Sequence, residues 1–285
     1  MSVLVSVVLP LSLAFIMFAL GVGLTVQDFV RVGKRPAAFL TGALNQIILL
    51  PIVAFIVVIA FGLTKEIAVG VMVMSACPGG VTTAVFARFG NGDVALSVSL
   101  TAVISLVGVL TIPLILGLSM VAFMGQDAPD ISLIAVALRT FAITVVPIAI
   151  GMICKSLFPE RMTRSEPLFS KISIVLLAII IIAVMVENWS IYQTNFTTLA
   201  PALATLLIVL AIIGFVVPRL MGRDLREAKT ISIETSIQNT GLGVAVAAGL
   251  SGGTEISPIA LPAAVYGPLM LLMIVPVIFL FRRIG

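Results

Sequence analysis

The chain of 285 residues contains no histidine, and only 10% of its residues are charged. Without histidine, zinc motifs that use this ligand, histidine-based triads and haem ligation by histidine are excluded. Most hydrolase schemes also need a nucleophile paired with such a base. The two cysteines, Cys77 and Cys154, have no framework spacing and indicate neither disulfides nor a metal site.

Hydrophobic residues make up 61% of the chain, more than a soluble domain of this size can bury. This composition predicts an all-α polytopic membrane protein. The first residues carry no basic group ahead of the apolar stretch, so we interpret that stretch as a transmembrane helix rather than a cleaved signal peptide. The net charge of +4 is interpreted as a topology signal and not as a sign of nucleic-acid binding.

Charges and turn residues divide the chain into about nine apolar spans, each near the ~20 residues that cross a bilayer. No soluble domain or long linker interrupts them. The predicted spans are about 2–24, 37–62, 66–89, 93–124, 132–155, 167–188, 196–221, 228–250 and 257–281.

The connections between these spans alternate in charge. The odd-numbered connections and the C-terminal tail hold 14 of the 16 basic residues. The positive-inside rule therefore predicts a cytoplasmic C-terminus and an external N-terminus. Arg139 is the exception within a span, and we expect it to extend outward rather than to face a cavity. The chain length and the lack of a targeting signal favour a bacterial-type inner membrane.

Two spans are interrupted near their centres. Span three contains Cys77-Pro78-Gly79-Gly80, and proline and glycine there predict unwound backbone. Span eight has a polar, glycine-containing centre from Gln238 to Gly243. Paired interrupted helices are typical of transporter binding sites. Spans two to four and seven to nine share this order, which suggests an inverted repeat.

Glu234 is an acid at hydrocarbon depth in span eight, and such acids are rare and usually functional. Gln238 lies one helical turn further on. Counting residues from each membrane face puts Thr83 and Glu234 about five residues inward of their span centres, or ~8 Å. Ser97, Thr101 and Ser105 share one face of span four, and Ser97 and Thr101 reach the same level as Glu234. Gln46 lies about nine residues from the inner end of span two and so approaches this level.

One carboxylate, three hydroxyls and an amide can therefore converge just cytoplasmic of the midplane. Hard oxygen ligands with one formal charge favour a monovalent cation, and sodium is the candidate. Backbone carbonyls of Glu234, Thr235 and Ile237 could complete its shell. A proton carried by Glu234 is the alternative, and hydroxyls in membrane helices often bond only the preceding turn.

The chain resembles the bile acid:sodium symporter family over nearly its whole length. The resemblance rests on C-P-G-G at 77–80, G-N-(G-D)-V-A-L-S-V at 90–98 with Thr101, and E-x-x-x-Q-N-x-G-L at 234–242. It implies a nine-helix variant of the fold with a core domain and a panel domain. The implied division is a panel helix and connector at 1–35, core half one at 36–124 with the broken helix 66–89, panel helices at 125–190, and core half two at 191–285 with the broken helix 228–250.

The same resemblance implies sodium-coupled import of an organic anion, bile-acid-like or a small carboxylate, commonly with two sodium ions. Substrate would lie at the helix crossing, beside Pro78, Gly79, Thr82, Asn239 and Thr240. The implied ion ligands form two sets. One ion would bind Thr83, Ser97, Thr101 and Glu234, and the other would bind Gln46, Gln238 and backbone oxygens of Glu234, Thr235 and Ile237.

One departure concerns Ala84, which stands where related transporters often carry an asparagine ligand of the first ion. The expected number of ions is therefore one or two. The alternatives are proton-coupled or uncoupled transport on the same fold and arsenite-type efflux through a thiol such as Cys77. A prenyl-transfer enzyme is disfavoured because Asp127 and Asp130 fall on an exterior loop, and a channel because two broken helices fit alternating access better. The substrate and the oligomeric state stay open, with a monomer as the working expectation.

Overall fold

The structure is a computed structural model in which residues 8–80, 82–250 and 257–284 are described. These residues form helices joined by short connections, and the β-structure among them is one isolated bridge. The first residues of predicted span one lie outside the described residues. The helices are α1 (Leu9–Gly23), α2 (Val26–Lys34), α3 (Pro36–Leu44), α4 (Leu50–Ala60), α5 (Lys65–Ser75), α6 (Thr83–Phe89), α7 (Val94–Phe123), α8 (Leu133–Leu157), α9 (Pro159–Glu187), α10 (Trp189–Leu220), α11 (Leu225–Ser236), α12 (Thr240–Leu250) and α13 (Leu261–Arg283).

Among the described residues, six helical segments are long and apolar enough to cross a membrane. They comprise α7, α8, α9, α10, the last helix with its preceding 3₁₀ turn, and the unit of α3 and α4, which a π-helical turn at Asn45–Leu49 joins. The pair α1 and α2, bent by 62°, would add a seventh. The protein is therefore an all-α polytopic membrane protein, whereas the count of nine spans stays a prediction.

Two of the predicted spans begin later in the chain than the corresponding helices. Helix α9 begins at Pro159 rather than at residue 167, and α10 begins at Trp189 rather than at residue 196. The charged residues ahead of Pro167 indicate a connection by composition, but their side chains are exposed and are therefore compatible with the first turns of a helix. Pro159 at the first helical position also favours an early start, because its fixed φ suits a first turn.

The outer surface of the bundle is apolar, with Leu110 on α7 and Leu272 on α13 both 73% exposed. Such a surface suits hydrocarbon rather than water. Inside it, α1 packs against α8 and α9, and α10 packs along α11. A Cβ on Gly151 of α8 would overlap the Phe18 carbonyl of α1, so small residues bring these two backbones together.

Helices α5 and α6 are separated by an unwound segment around Pro78, and α11 and α12 are separated at Ile237–Asn239. The two breaks lie side by side, and the main-chain N–H of Asn239 donates to the Pro78 carbonyl at 2.8 Å. Gly79 and Gln238 form an antiparallel bridge next to this bond. Each break therefore satisfies backbone groups that the other leaves free, as a low-dielectric interior requires.

The second break is shorter than the sequence indicates. Gly241 and Gly243 lie within α12 instead of unwinding it. Asn239 explains this difference, since its Oδ1 accepts a bond from the Leu242 amide at 3.1 Å and so caps the helix. At the other end of α12, the exposed Arg139 side chain donates to the Gly249 carbonyl, where a cation suits the helix C-terminus.

Candidate cation site at the helix crossing

Glu234 lies in the last turn of α11, where it is 1% exposed. Its carboxylate accepts a hydrogen bond from the Ser97 hydroxyl. The Thr101 hydroxyl lies 3.1 Å from Oε1 and 3.0 Å from Oε2 of the same group. The carboxylate is thus held between α11 and α7 by two hydroxyls that the depth count assigned to its level.

Thr83 and Ser105 were also named from the sequence, and their hydroxyls differ in their contacts. Thr83 lies 3.3 Å from the Thr101 hydroxyl and donates to the Gly80 carbonyl at 2.8 Å, so it borders the carboxylate cluster from the first break. Ser105 donates back to the Thr101 carbonyl at 2.6 Å. Ser105 therefore shares a helix face with Ser97 but makes the ordinary intrahelical bond of a membrane hydroxyl.

Gly79 packs directly against the carboxylate. A Cβ built on this residue would overlap Oε2 of Glu234 and would lie 3.2 Å from the Thr101 hydroxyl. The backbone of the first break thus closes over the acid, and only a residue without a side chain allows that approach.

A second group of oxygens lies on the α3–α4 side of Glu234. Gln46 donates to the Glu234 carbonyl at 3.4 Å, and Gln238 donates to the Thr235 carbonyl at 2.8 Å. Both Oε1 atoms are buried without a hydrogen-bond partner in the part of the chain that the structure describes. Unpaired buried acceptors are costly, and a bound cation is one way to satisfy them.

Backbone groups near the second break frame this amide pair. The Thr235 hydroxyl donates to the Ile231 carbonyl of its own helix at 2.7 Å, and the Thr235 main-chain oxygen accepts from Gln238 beside the break. Ile237 is fully buried, and its amide donates to the Ile233 carbonyl at 2.9 Å. The Ile237 side chain is apolar, so this residue could contribute only its main-chain oxygen to an ion.

A cavity of about 40 Å³ lies beyond the crossing, between the breaks, α1, α9 and α13. Thr82, Asn239 and Thr240 of the predicted substrate group line it. Pro78 and Gly79 are not among its lining residues; Gly79 instead faces Glu234. The substrate residues named from the sequence therefore divide between the cavity and the carboxylate side of the crossing.

Several residues of the site carry no strong sequence signal. Ser173 of α9 lines the cavity, and its buried hydroxyl, like that of Thr240, has no partner among the described residues. A lone serine in an apolar span would have been its only signal. Tyr266 of α13 donates to the Ser236 carbonyl at 2.8 Å, and so satisfies a backbone group freed by the break.

The chain is similar to known membrane transporters. The model of the sodium bile acid symporter family matches residues 10–196. The human ileal sodium/bile acid cotransporter is 30% identical over 247 residues, which cover 85% of this chain and 69% of that protein. The uncharacterized sodium-dependent transporter YocS of Bacillus subtilis is 28% identical over 92% of this chain and 79% of its own length.

A more distant relative is the probable sodium/metabolite cotransporter BASS2, chloroplastic, of rice, 26% identical over 82% of this chain and 55% of its own length. These relatives are transporters and not enzymes. The family match covers well over half of the residues and includes the C-P-G-G motif of the first break. The chain therefore belongs to the sodium bile acid symporter family.

Proposed function

We propose that this protein is a sodium-coupled symporter that imports an organic anion by alternating access. The observation that carries the proposal is the convergence of the Glu234 carboxylate with hydroxyl and amide oxygens where the two broken helices meet. A buried anion surrounded by neutral oxygen donors suits a small monovalent cation. Sodium entering down its gradient supplies the work, about 2.3 kcal/mol per charge for each 100 mV.

The first ion would bind beside Glu234, with Thr83, Ser97 and Thr101 as neutral ligands. The second would bind the unpaired amide oxygens of Gln46 and Gln238, with main-chain oxygens of Glu234, Thr235 and Ile237. The buried Oε1 atoms of these two side chains, which have no hydrogen-bond partner among the described residues, support this second set. Ala84, half-buried beside Thr83, offers no oxygen to the first, so this site depends more heavily on Glu234.

The substrate would be a bile-acid-like or small carboxylate bound at Thr82, Asn239 and Thr240, in the cavity that Gln238 of the second ion set also lines. The N-terminal end of α12 lies at this region, and the positive end of the helix dipole there favours an anionic group. A cavity of about 40 Å³ is much smaller than the ~300–1,000 Å³ of typical ligand pockets. Substrate entry therefore requires the helices around the cavity to separate.

We propose that this separation occurs between a panel of α1, α8 and α9 and a core that contains both broken helices. The mutual packing of α1, α8 and α9 supports the panel, and the backbone bond between the breaks supports a rigid core. The proposed setting is a cell inner membrane with the basic connections and the C-terminus in the cytoplasm.

Two alternatives keep the same fold. Loss of one ligand at Ala84 favours fewer coupled ions, so transport driven by a proton on Glu234, or uncoupled transport, is the second candidate. Arsenite-type efflux is disfavoured, because the Cys77 thiol is 1% exposed and bonds the Val73 carbonyl at 3.4 Å. This thiol packs toward Gly243 and does not line the cavity.

Purified protein in liposomes tests the proposal. The liposomes are tested with a panel of bile acids and small carboxylates. Uptake is expected when sodium is outside, and it is expected to vanish when potassium replaces the sodium. A pH gradient without sodium is expected to drive nothing. Uptake that follows the pH gradient in potassium would support proton coupling instead, and uptake of no anion under any gradient would reject the proposal.

Ser97 and Ser105 provide a matched pair on α7. Both are buried, but only Ser97 contacts Glu234. Ser97→Ala is expected to raise the sodium concentration for half-maximal uptake by about 10- to 100-fold, as loss of a group that orients a metal ligand does. Ser105→Ala is expected to stay near the wild-type value. Equal sodium dependence of the two variants would contradict a role for the Ser97 hydroxyl.

A further inference from the structure

A cavity of about 390 Å³ lies at the basic end of the bundle, away from the helix crossing. It is formed by α2 with the start of α3, the start of α7 and the start of α11. Four basic side chains line it, and one acid does: Arg31, Lys34, Arg35, Arg226 and Asp93. Phe39 and Leu96 give it an apolar floor. None of these residues has a part in the proposed transport site.

The acids near this cavity only partly balance its bases. Arg31 pairs with Asp28 at 2.9 Å, and Arg35 pairs with Asp93 at 2.9 Å. Arg226 donates to the Gly92 carbonyl at 3.3 Å, and Lys34 makes no ion pair with any described residue.

Glu227 is the remaining acid, and it lies 4.0 Å from Arg35 without lining the cavity. The cavity walls thus carry four positive groups and one negative group. An anion that enters could be bound by Lys34 and Arg226 without breaking either close ion pair.

Helix α2 has the character of an interfacial helix. It is bent by 62° from α1, so it runs across the membrane surface if α1 crosses the bilayer. Val26 and Val30 are 67% and 53% exposed and lie one turn apart on a single face. Basic residues Arg31 and Lys34 lie in its last turn. Lys34 follows Val30 by one further turn, so exposed apolar residues adjoin basic ones, as is typical of helices at the headgroup boundary.

The acidic side of α2 is fixed to the bundle. Asp28 is buried, and its main-chain oxygen accepts a bond from the Ser99 hydroxyl of α7 at 2.7 Å. The orientation of α2 is therefore set by the fold, and its basic last turn is held at the cavity.

We propose that this cavity binds the phosphate headgroup of an anionic phospholipid, such as phosphatidylglycerol. The charge excess favours a phosphate, and basic pockets between helices at a membrane surface suit such headgroups. The exposed Val26 and Val30, together with Leu40 on α3, which is 64% exposed, favour a lipid over a free phosphate, because acyl chains would lie against them. The bound headgroup would link α2 to α11, which carries Glu234 two turns beyond Arg226.

Lipid-dependent melting of the purified chain tests this proposal. The protein in neutral detergent is titrated with phosphatidylglycerol, with phosphatidylcholine of the same chains, and with inorganic phosphate. Phosphatidylglycerol alone is expected to raise the melting temperature. The double variant Lys34→Gln/Arg226→Gln is expected to need about 10- to 30-fold more phosphatidylglycerol for half of that effect, since each basic group at a membrane surface contributes about fivefold.

Arg282→Gln/Arg283→Gln is the control, because it removes two basic groups from the tail outside the cavity. It is expected to respond to phosphatidylglycerol like the wild type. Equal effects of the two lipids, an equal effect of inorganic phosphate, or equal weakening in both double variants would each overturn the proposal. Melting without lipid reports folding separately for every variant.

Discussion

Glu234→Gln is expected to melt at or above the wild-type temperature without sodium, and to lose the part of the sodium-dependent rise in melting temperature that the first ion contributes. Glu234 is 1% exposed, and a buried charge is costly to fold when no cation compensates it. The amide keeps the shape and can still bond Ser97 and Thr101. The variant therefore separates a folding role of this side chain from a sodium-binding role.

The loss of sodium affinity is expected to exceed about 100-fold, because even groups that only orient a metal ligand cost about 10- to 100-fold. A ligand that binds only the folded state stabilises it by RT ln(1 + [L]/Kd), so melting curves over a sodium series give this affinity directly. Sodium-driven uptake in liposomes is expected to vanish together with that part of the shift.

Glu160→Gln is the matched control, since Glu160 is an exposed acid in the first turn of α9. It should keep both the sodium shift and the uptake. A Glu234→Gln protein that retains the full sodium shift would show that the first ion does not bind at Glu234. A variant that merely fails to fold would show a lower melting temperature already without sodium, contrary to expectation.

Gly79→Ala is expected to cause the second large loss, because the new methyl group would overlap the Glu234 carboxylate. Overpacking a tight interior costs about 1–3 kcal/mol. Displacing the carboxylate from Ser97 and Thr101 should also weaken sodium binding by about 10- to 100-fold.

The neighbouring glycine is a close control. A Cβ on Gly80 would find its nearest atom, the Gln238 carbonyl oxygen, at an ordinary 3.5 Å. Neither glycine adopts a positive φ, so strain from the backbone does not separate the two. Gly80→Ala should retain sodium-dependent melting within about 1 kcal/mol of wild type. Equal damage from both substitutions would indicate a general intolerance of the unwound segment.

Helical register and membrane depth were enough to bring Glu234, Ser97 and Thr101 together from the sequence. Each lies on a regular helix at a countable distance from a charged end, so rise per residue gives its level. Span boundaries were also predictable to within a few residues wherever charges mark the membrane edge. The helices that begin at Pro159 and Trp189 start before the predicted spans, because polar residues are compatible with a helix and composition does not mark these helix ends.

Other contacts could not be deduced from spacing. Whether a serine bonds another helix or its own preceding turn is one of them: Ser97 bonds Glu234, whereas Ser105 bonds the Thr101 carbonyl. The cap that Asn239 makes on α12 keeps Gly241 and Gly243 helical, against their intrinsic preference. The bond from Tyr266 to Ser236 joins residues of different helices, which a single sequence does not pair.

The bond from the Asn239 amide to the Pro78 carbonyl joins two interrupted helices through main-chain atoms alone. Substitution of side chains cannot delete it, except by proline at 239, which removes the donor. Side chains around this joint can therefore vary without removing the connection between the two breaks. A library that varies Thr82 and Thr240 but keeps Gly79, Gly80 and the capping Asn239 should alter selectivity far more often than assembly.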